Sequence, residues 1–296
     1  MSIKLEGSWV ALATPFRNDV VDEAKIKELV KWHIKNGTNG IVACGTTGEA
    51  PTLSDDEKSV VVRAVVEAAD KKIPVMAGTG TNDTKHVISL NKRAERDGAD
   101  GVLIVTPYYN RPTQNGLYQH FKAIAEATSL GIVVYNIQSR TAVNIETATL
   151  AKLSNDFSNI IGVKEASGSL DQMSMVARSC RKGFVMLSGD DGMTLPCMSV
   201  GGKGIISTVG NIIPKQMSEM TNLALAGEWQ QAREMHLRLF PLFRTMFMET
   251  NPCPLKEAMA MMKLIDSPEL RLPMYRVEEA TRQRLASTLK EFGLLS

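Results

Sequence analysis

Lys164 closes the apolar run IIGVK at 160–164. Read as a regular strand, the run puts Ile160, Gly162 and Lys164 on one face, with Ile161 and Val163 on the other. A lysine aimed at a buried face snorkels to water, pairs with its neighbour Glu165, or loses much of its charge. The last state carries chemistry, because a neutral amine forms a Schiff base with a carbonyl. Lowering a lysine pKa from ~10.4 to ~7–8 costs about 4 kcal/mol of differential solvation. A phenol such as Tyr135 can shuttle the protons as a carbinolamine loses water. Thr46 and Thr47 lie in CGTTGEAPTLS (44–54), where turn N–H groups and two hydroxyls suit a small carboxylate. The same stretch also reads as a plain loop entering a capped helix. Arg140 in YNIQSRTA (135–142) offers a planar fork for a carboxylate, or is a solvated loop arginine. The tyrosines of TPYYNRP (106–112) either face a ligand or only pack.

The elements that must bring these groups together alternate along the chain. Short β-branched runs occur at 9–14, 40–45, 73–78, 101–106, 131–136, 160–164, 184–189 and 204–209. Longer amphipathic stretches separate them, among them 22–36 and 55–69. Ser54 followed by Glu57 predicts a capping box opening the second of these. Continuous apolar strands separated by helices predict a parallel sheet buried on both faces. Eight of them favour an α/β fold of the closed (β/α)8 TIM-barrel type over an open doubly wound sheet. Strand signals stop after Ile213, so a barrel domain is expected over 1–225 and a small C-terminal all-helical appendage over 226–296. Functional groups of such a barrel sit at the C-terminal strand ends. That rule gathers Thr46, Thr47, Tyr108, Tyr109, Tyr135, Lys164, Gly189, Asp190 and Ile206 at one mouth.

Composition excludes several other classes. The 296 residues carry a net charge of +2 with both signs interspersed and no basic block, which argues against nucleic acid or an acidic membrane as partner. Cys44, Cys180, Cys197 and Cys253 lack C-x-x-C spacing and the four histidines are scattered, so neither a disulfide framework nor a zinc site is expected. MSIKLEGSWV has no signal-peptide core and no run approaches membrane-spanning length, so a reduced, cytoplasmic protein is expected.

Taken together, GTTGE (45–49), GTG (78–80), TPYYNRP, YN with SRT (135–141), GVKEASG (162–168), SGDD (188–191) and GGKGIIS (201–207) resemble the dihydrodipicolinate synthase family of pyruvate-dependent class I aldolases. ETNPCPLK (249–256) and RLPM (271–274) carry the similarity through the appendage. The resemblance implies that Lys164 forms an imine with pyruvate and that Tyr135 donates and accepts protons. Thr46 and Tyr109 would complete the relay, Tyr109 coming from a neighbouring subunit. Thr47, Ile206 and Gly189 match substrate-binding positions, Thr47 near the pyruvate carboxylate. Arg140 matches the binder of the carboxylate of the second substrate, L-aspartate 4-semialdehyde. Condensation would then give 4-hydroxy-tetrahydrodipicolinate in the diaminopimelate and lysine pathway. No metal or organic cofactor is implied, because the lysine imine is the electron sink. A homotetramer built from tight dimers is implied.

Two departures stand out. Gln138 and Ala142 replace the family's usual Pro and Gly beside SRT, which predicts a looser loop around Arg140. His86 stands where feedback-inhibited relatives carry an acidic group. With Lys58 beside it, a cationic lysine effector is expected to bind weakly or not at all. Besides a non-catalytic binding or regulatory relative, against which intact Lys164, Tyr135, Thr46 and Tyr109 argue, two rival functions remain on sequence alone. One is a sugar-acid lyase of the same family, which would share Lys164 and Tyr135. The other is a barrel gripping phosphate with VGGKGIISTVGN (200–211).

Overall fold

The computed structural model describes residues 3–295. Eight parallel strands close into a barrel: β1 (Gly7–Ala11), β2 (Gly40–Ala43), β3 (Val75–Gly78), β4 (Gly101–Val105), β5 (Gly131–Asn136), β6 (Ile160–Glu165), β7 (Val185–Ser188) and β8 (Gly204–Ser207). Closure pairs β1 with both β2 and β8. Every expected strand is present, and the amphipathic stretches form α1 (Glu23–Lys35) and α2 (Asp55–Ala69). Ser54 and Glu57 make the expected capping box, the Ser54 N–H donating to Glu57 at 2.8 Å and the Glu57 N–H to Ser54 Oγ at 3.2 Å. The outer ring continues with α3 (Thr84–Arg96), α4 (Gln114–Glu126), α5 (Thr147–Asp156), α6 (Leu170–Ser179), α7 (Thr194–Ser199) and α8 (Pro214–Leu225). A small hairpin, Phe16–Arg17 with Val20–Val21, escaped the sequence because two-residue strands carry no periodicity.

Side-chain alternation divides the apolar residues into two cores. Val10, Ile41, Val102, Ile132, Val163 and Ile205 face the helices. Trp9, Val42, Met76, Leu103, Val133, Leu187 and Ile206 fill the barrel. Trp9 lies so close to Gly40 that an added Cβ would stand 2.4 Å from its ring. The expected facing of β6 needs correction. Register shifts between Ile132 and Val133, so that Ile160 pairs Ile132 while Gly162 pairs Val133. The extra residue flips the parity: Ile160 joins the helix-facing core and Ile161 packs on the barrel interior. Lys164 therefore shares its side with Ile161, not Ile160.

Three further helices follow, α9 (Trp229–Thr245), α10 (Cys253–Met261) and α11 (Glu279–Glu291). Their Leu242, Phe243, Leu255 and Leu285 share one contiguous core with Met217 and Met220 of α8. Two polar ties bind this region to the barrel mouth. Lys256, fully buried, donates to Glu49 at 2.7 Å and to the Thr14 carbonyl at 2.9 Å. Arg271 reaches both Glu57 oxygens, at 2.9 and 2.6 Å, and its backbone N–H donates to Glu49 at 3.0 Å. No helix among the described residues is long and apolar enough to cross a membrane.

Two buried histidines make the fold acid-sensitive. His33 meets Thr38 at 3.0 Å and His120 meets Thr84 at 2.9 Å, while the Nε2 of each has no partner among the described residues. Burial pushes His33 down to about 3 and His120 down to about 4. Below the ordinary histidine pKa of ~6.5 the unfolded chain binds protons that the folded chain refuses, so stability falls with pH. His33 alone withdraws on the order of 4 kcal/mol between pH ~6.5 and ~3. Asp191, pushed up to about 6 by burial, slopes the other way below pH 6 but is one group against these two and His236, which burial also pushes down. Melting temperature should decline steadily from pH 6.5 to 4, and His120→Gln should flatten that decline. A level profile over this range would contradict the assignment.

Candidate active site

Tyr135 and Lys164 face each other across β5 and β6 as register partners. Lys164 is 5% exposed, and its Nζ lies 4.3 Å from the centre of the Tyr135 ring. Burial pushes the amine down to about 8, with Arg140 adding to the effect and Asp191 opposing it. Burial pushes the Tyr135 phenol up to about 12, opposed by Arg140 and by hydrogen bonding with Thr46. Near pH 8 about half of the amine is therefore neutral, beside a phenol that keeps its proton, the pairing a carbonyl addition needs.

The surrounding loops supply the rest. A cavity of about 530 Å³ is lined by Thr46, Leu103, Tyr135 and Arg140 and extends outward to Asn82, His86 and Lys58. Thr47 is buried behind Thr46, its Oγ1 accepting from Asn251 Nδ2 at 3.0 Å. Ile206 fills the barrel beneath the mouth. Gly189 leaves room for the lysine: a Cβ there would lie 2.7 Å from Ala166 and 3.0 Å from Lys164 Cε. Arg140 rides on a short helical turn, Gln138–Thr141, and its Nη2 donates to the Asn251 carbonyl at 3.2 Å. The loop expected to be looser is a closed turn, with the Ala142 N–H donating to the Gln138 carbonyl at 2.8 Å. Ala142 pays for this with a φ of 58°, a left-handed conformation costing about 1 kcal/mol without glycine. Tyr109 is the one expected site residue that this chain does not bring in. It is 89% exposed with a φ of 71°.

Several contributors carried no signal of their own in the sequence. Asp191, 1% exposed, accepts from Ser207 Oγ and from the Thr208 and Val209 N–H groups at 3.2 and 3.3 Å. On the outer face, Asn136 follows Tyr135 and Glu165 follows Lys164, both fully buried and paired across the strands. Glu165 accepts from Asn136 at 3.2 Å, Gln172 at 3.3 Å and the Ser167 N–H at 2.7 Å. Asn251 arrives from the segment between α9 and α10, within the ETNPCPLK stretch that carried the family resemblance. Cys44 is a buried thiol pushed up to about 12, an inert core group. Among the described residues no three His, Cys, Asp or Glu side chains converge to hold a metal ion. The GGKG run lies before β8, at the end of the barrel away from the mouth. There Gly204 brings the backbone against Gly7, where a Cβ would lie 2.0 Å from the Gly7 oxygen. Gly204 thus serves strand contact, and Gly202 packs on Cys197, where a Cβ would lie 2.6 Å from its sulfur.

Residues 4–292 match the dihydrodipicolinate synthetase family. The chain belongs to that family. A 4-hydroxy-tetrahydrodipicolinate synthase of Persephonella marina is 48% identical over 290 residues, covering 98% of this chain and 99% of the relative. The crystal structure of the family member from Aquifex aeolicus superposes with a TM-score of 0.96 at 42% identity, covering 98% of this chain and 99% of that one. A chloride-inhibited dihydrodipicolinate synthase from Acinetobacter baumannii, complexed with pyruvate, is 43% identical with a TM-score of 0.96, covering 99% of this chain and all of that one.

The glycine contact gives a direct test of the site. Gly189→Ala should leave the fold intact and displace the Lys164 arm, slowing borohydride-trapped imine formation by about 10- to 100-fold. Unchanged trapping would show that the arm does not need this space.

Proposed function

We propose that the chain condenses pyruvate with L-aspartate 4-semialdehyde to 4-hydroxy-tetrahydrodipicolinate, through a Schiff base on Lys164. The supporting observation is the buried amine, pushed down to about 8, against the Tyr135 ring. At pH 8 that lowering gives roughly 150 times more neutral amine than an ordinary lysine has. The Lys164 nitrogen attacks the keto carbon, and Tyr135 delivers the proton with which the carbinolamine oxygen leaves as water. Loss of a methyl proton turns the imine into an enamine, the cationic nitrogen taking up the electrons. The enamine carbon forms the new bond to the aldehyde carbon, and a proton converts the aldehyde oxygen to a hydroxyl. The substrate amine then adds to the imine carbon, closes the ring and releases Lys164.

Thr47 is assigned to the keto-acid carboxylate, Arg140 to the carboxylate of the aldehyde substrate, Gly189 and Ile206 to the floor and wall around them. Thr46 links Tyr135 to the next proton carrier. Tyr109, exposed on its own chain, fits a role in a neighbour's site within a dimer, two such dimers making the tetramer. The domain division falls after residue 225, with the catalytic barrel before it and a helical clamp on the barrel mouth after it.

The regulatory corner is already neutralised from within. His86 Nε2 lies 3.1 Å from each Asp55 oxygen, and Lys58 lies 3.7 Å from the same carboxylate. Burial pushes the Asp55 carboxyl up, but its hydrogen bond with His86 and the nearby Lys58 and Arg93 charges hold it below its usual range. A lysine ammonium would have to displace them, so free lysine at about 1 mM should leave more than half of turnover. Half-inhibition below that concentration would overturn the expectation. For the reaction itself, borohydride with pyruvate should fix a three-carbon adduct on Lys164. Lys164→Ala should lose both the adduct and at least about 1,000-fold of condensation. An adduct on another lysine, or an adduct without condensation, would defeat the assignment.

A further inference from the structure

Asn251 touches both residues assigned to substrate carboxylates. Its side-chain N–H donates to Thr47 Oγ1 at 3.0 Å, and its backbone carbonyl accepts from Arg140 at 3.2 Å. The contact is built into the frame. Glu49, two residues beyond Thr47, and Lys256, five beyond Asn251, form the fully buried ion pair described above, which pins both segments. Asn251 is 5% exposed, and its Oδ1 is buried without a partner among the described residues. An unpaired buried carbonyl oxygen is costly, and an apolar residue of similar size would avoid it. The donor side of the amide is then what the position needs.

A threonine hydroxyl has one proton to give and two lone pairs that accept. With an Asn251 N–H on one lone pair, the Thr47 proton is left free to point elsewhere, and the described residues offer it no acceptor in the hydrogen-bond pattern. We infer that Asn251 is a positioning residue that sets the polarity of the Thr47 hydroxyl, so that Thr47 donates to the carboxylate of the keto acid. The inference rests on the assignment of Thr47 to that carboxylate. It makes an unusual demand: aspartate, nearly the same shape, reverses the hydrogen bond by accepting the Thr47 proton.

The test measures the KM for pyruvate, by initial rate and by borohydride trapping, in the full-length protein. The variants are Asn251→Asp, Asn251→Ala, Thr47→Val and the double variant Thr47→Val with Asn251→Asp, each checked for native circular dichroism. Asn251→Asp should raise the pyruvate KM by about 10- to 50-fold and exceed the effect of Asn251→Ala. The KM for the aldehyde should change less, because neither replacement removes the backbone carbonyl that holds Arg140. On the Thr47→Val background the aspartate should add less than about twofold, since its target hydroxyl is gone. An aspartate effect milder than that of alanine assigns Asn251 to packing and overturns the inference. So does a full aspartate penalty that persists without the Thr47 hydroxyl. If Thr47→Val alone leaves the pyruvate KM unchanged, the assignment of Thr47 itself is wrong and the inference falls with it.

Discussion

A primary amine held in the dry mouth of a closed barrel is the constraint around which this molecule is arranged. With Lys164 pushed down to about 8, the fold gives up about 3 kcal/mol at neutral pH relative to a solvated lysine. That deficit persists below pH 8 and fades as pH rises toward the unfolded value. The loss comes from desolvation, so it lasts only while the interior excludes water. Trp9, Leu103, Val133, Leu187 and Ile206 fill the barrel beneath and around the amine. The two charges that act on the lysine pull in opposite directions, Asp191 keeping it protonated and Arg140 opposing that. Their balance leaves the amine reactive without making it permanently neutral.

Precision comes from outside the barrel. The Asn136–Glu165 pair lies on the outer face at the strand ends, one residue beyond Tyr135 and Lys164. Every group reaching Glu165 in that network is a donor, so its carboxyl oxygens are satisfied by hydrogen bonds alone. This locks two strands at the point where their inward side chains must meet. The C-terminal region acts on the loops instead. Lys256 and Arg271 converge on Glu49, which is itself left-handed with a φ of 54°, and so fix the turn that carries Thr46 and Thr47.

How far these features could be read from the residues depended on the range of the forces involved. Buried parallel strands must be apolar on both faces, so the eight runs declared themselves, and Ser54 with Glu57 marked a helix start within four residues. The facing of Ile160 was misread because a bulge inserts one residue, and strict alternation cannot register it. Gln138 and Ala142 suggested a loose loop, but the turn closes on Ala142 at a modest conformational cost. The small hairpin at 16–21 has too few residues for any pattern to emerge.

The sequence by itself determined the barrel and the order of its elements, and marked Lys164 as the candidate nucleophile, because apolar periodicity and a lone strand-end lysine are local facts. Only the tertiary structure decided that Asp191 acts on that lysine and which groups hold the strands and loops around it. Asp191, Asn251, Glu165 and Lys256 act across separations that no spacing encodes, Asn251 lying 204 residues from Thr47 and Lys256 207 from Glu49. Electrostatic and hydrogen-bonding effects depend on distance in space and on exclusion of water, and both exist only once the barrel has closed.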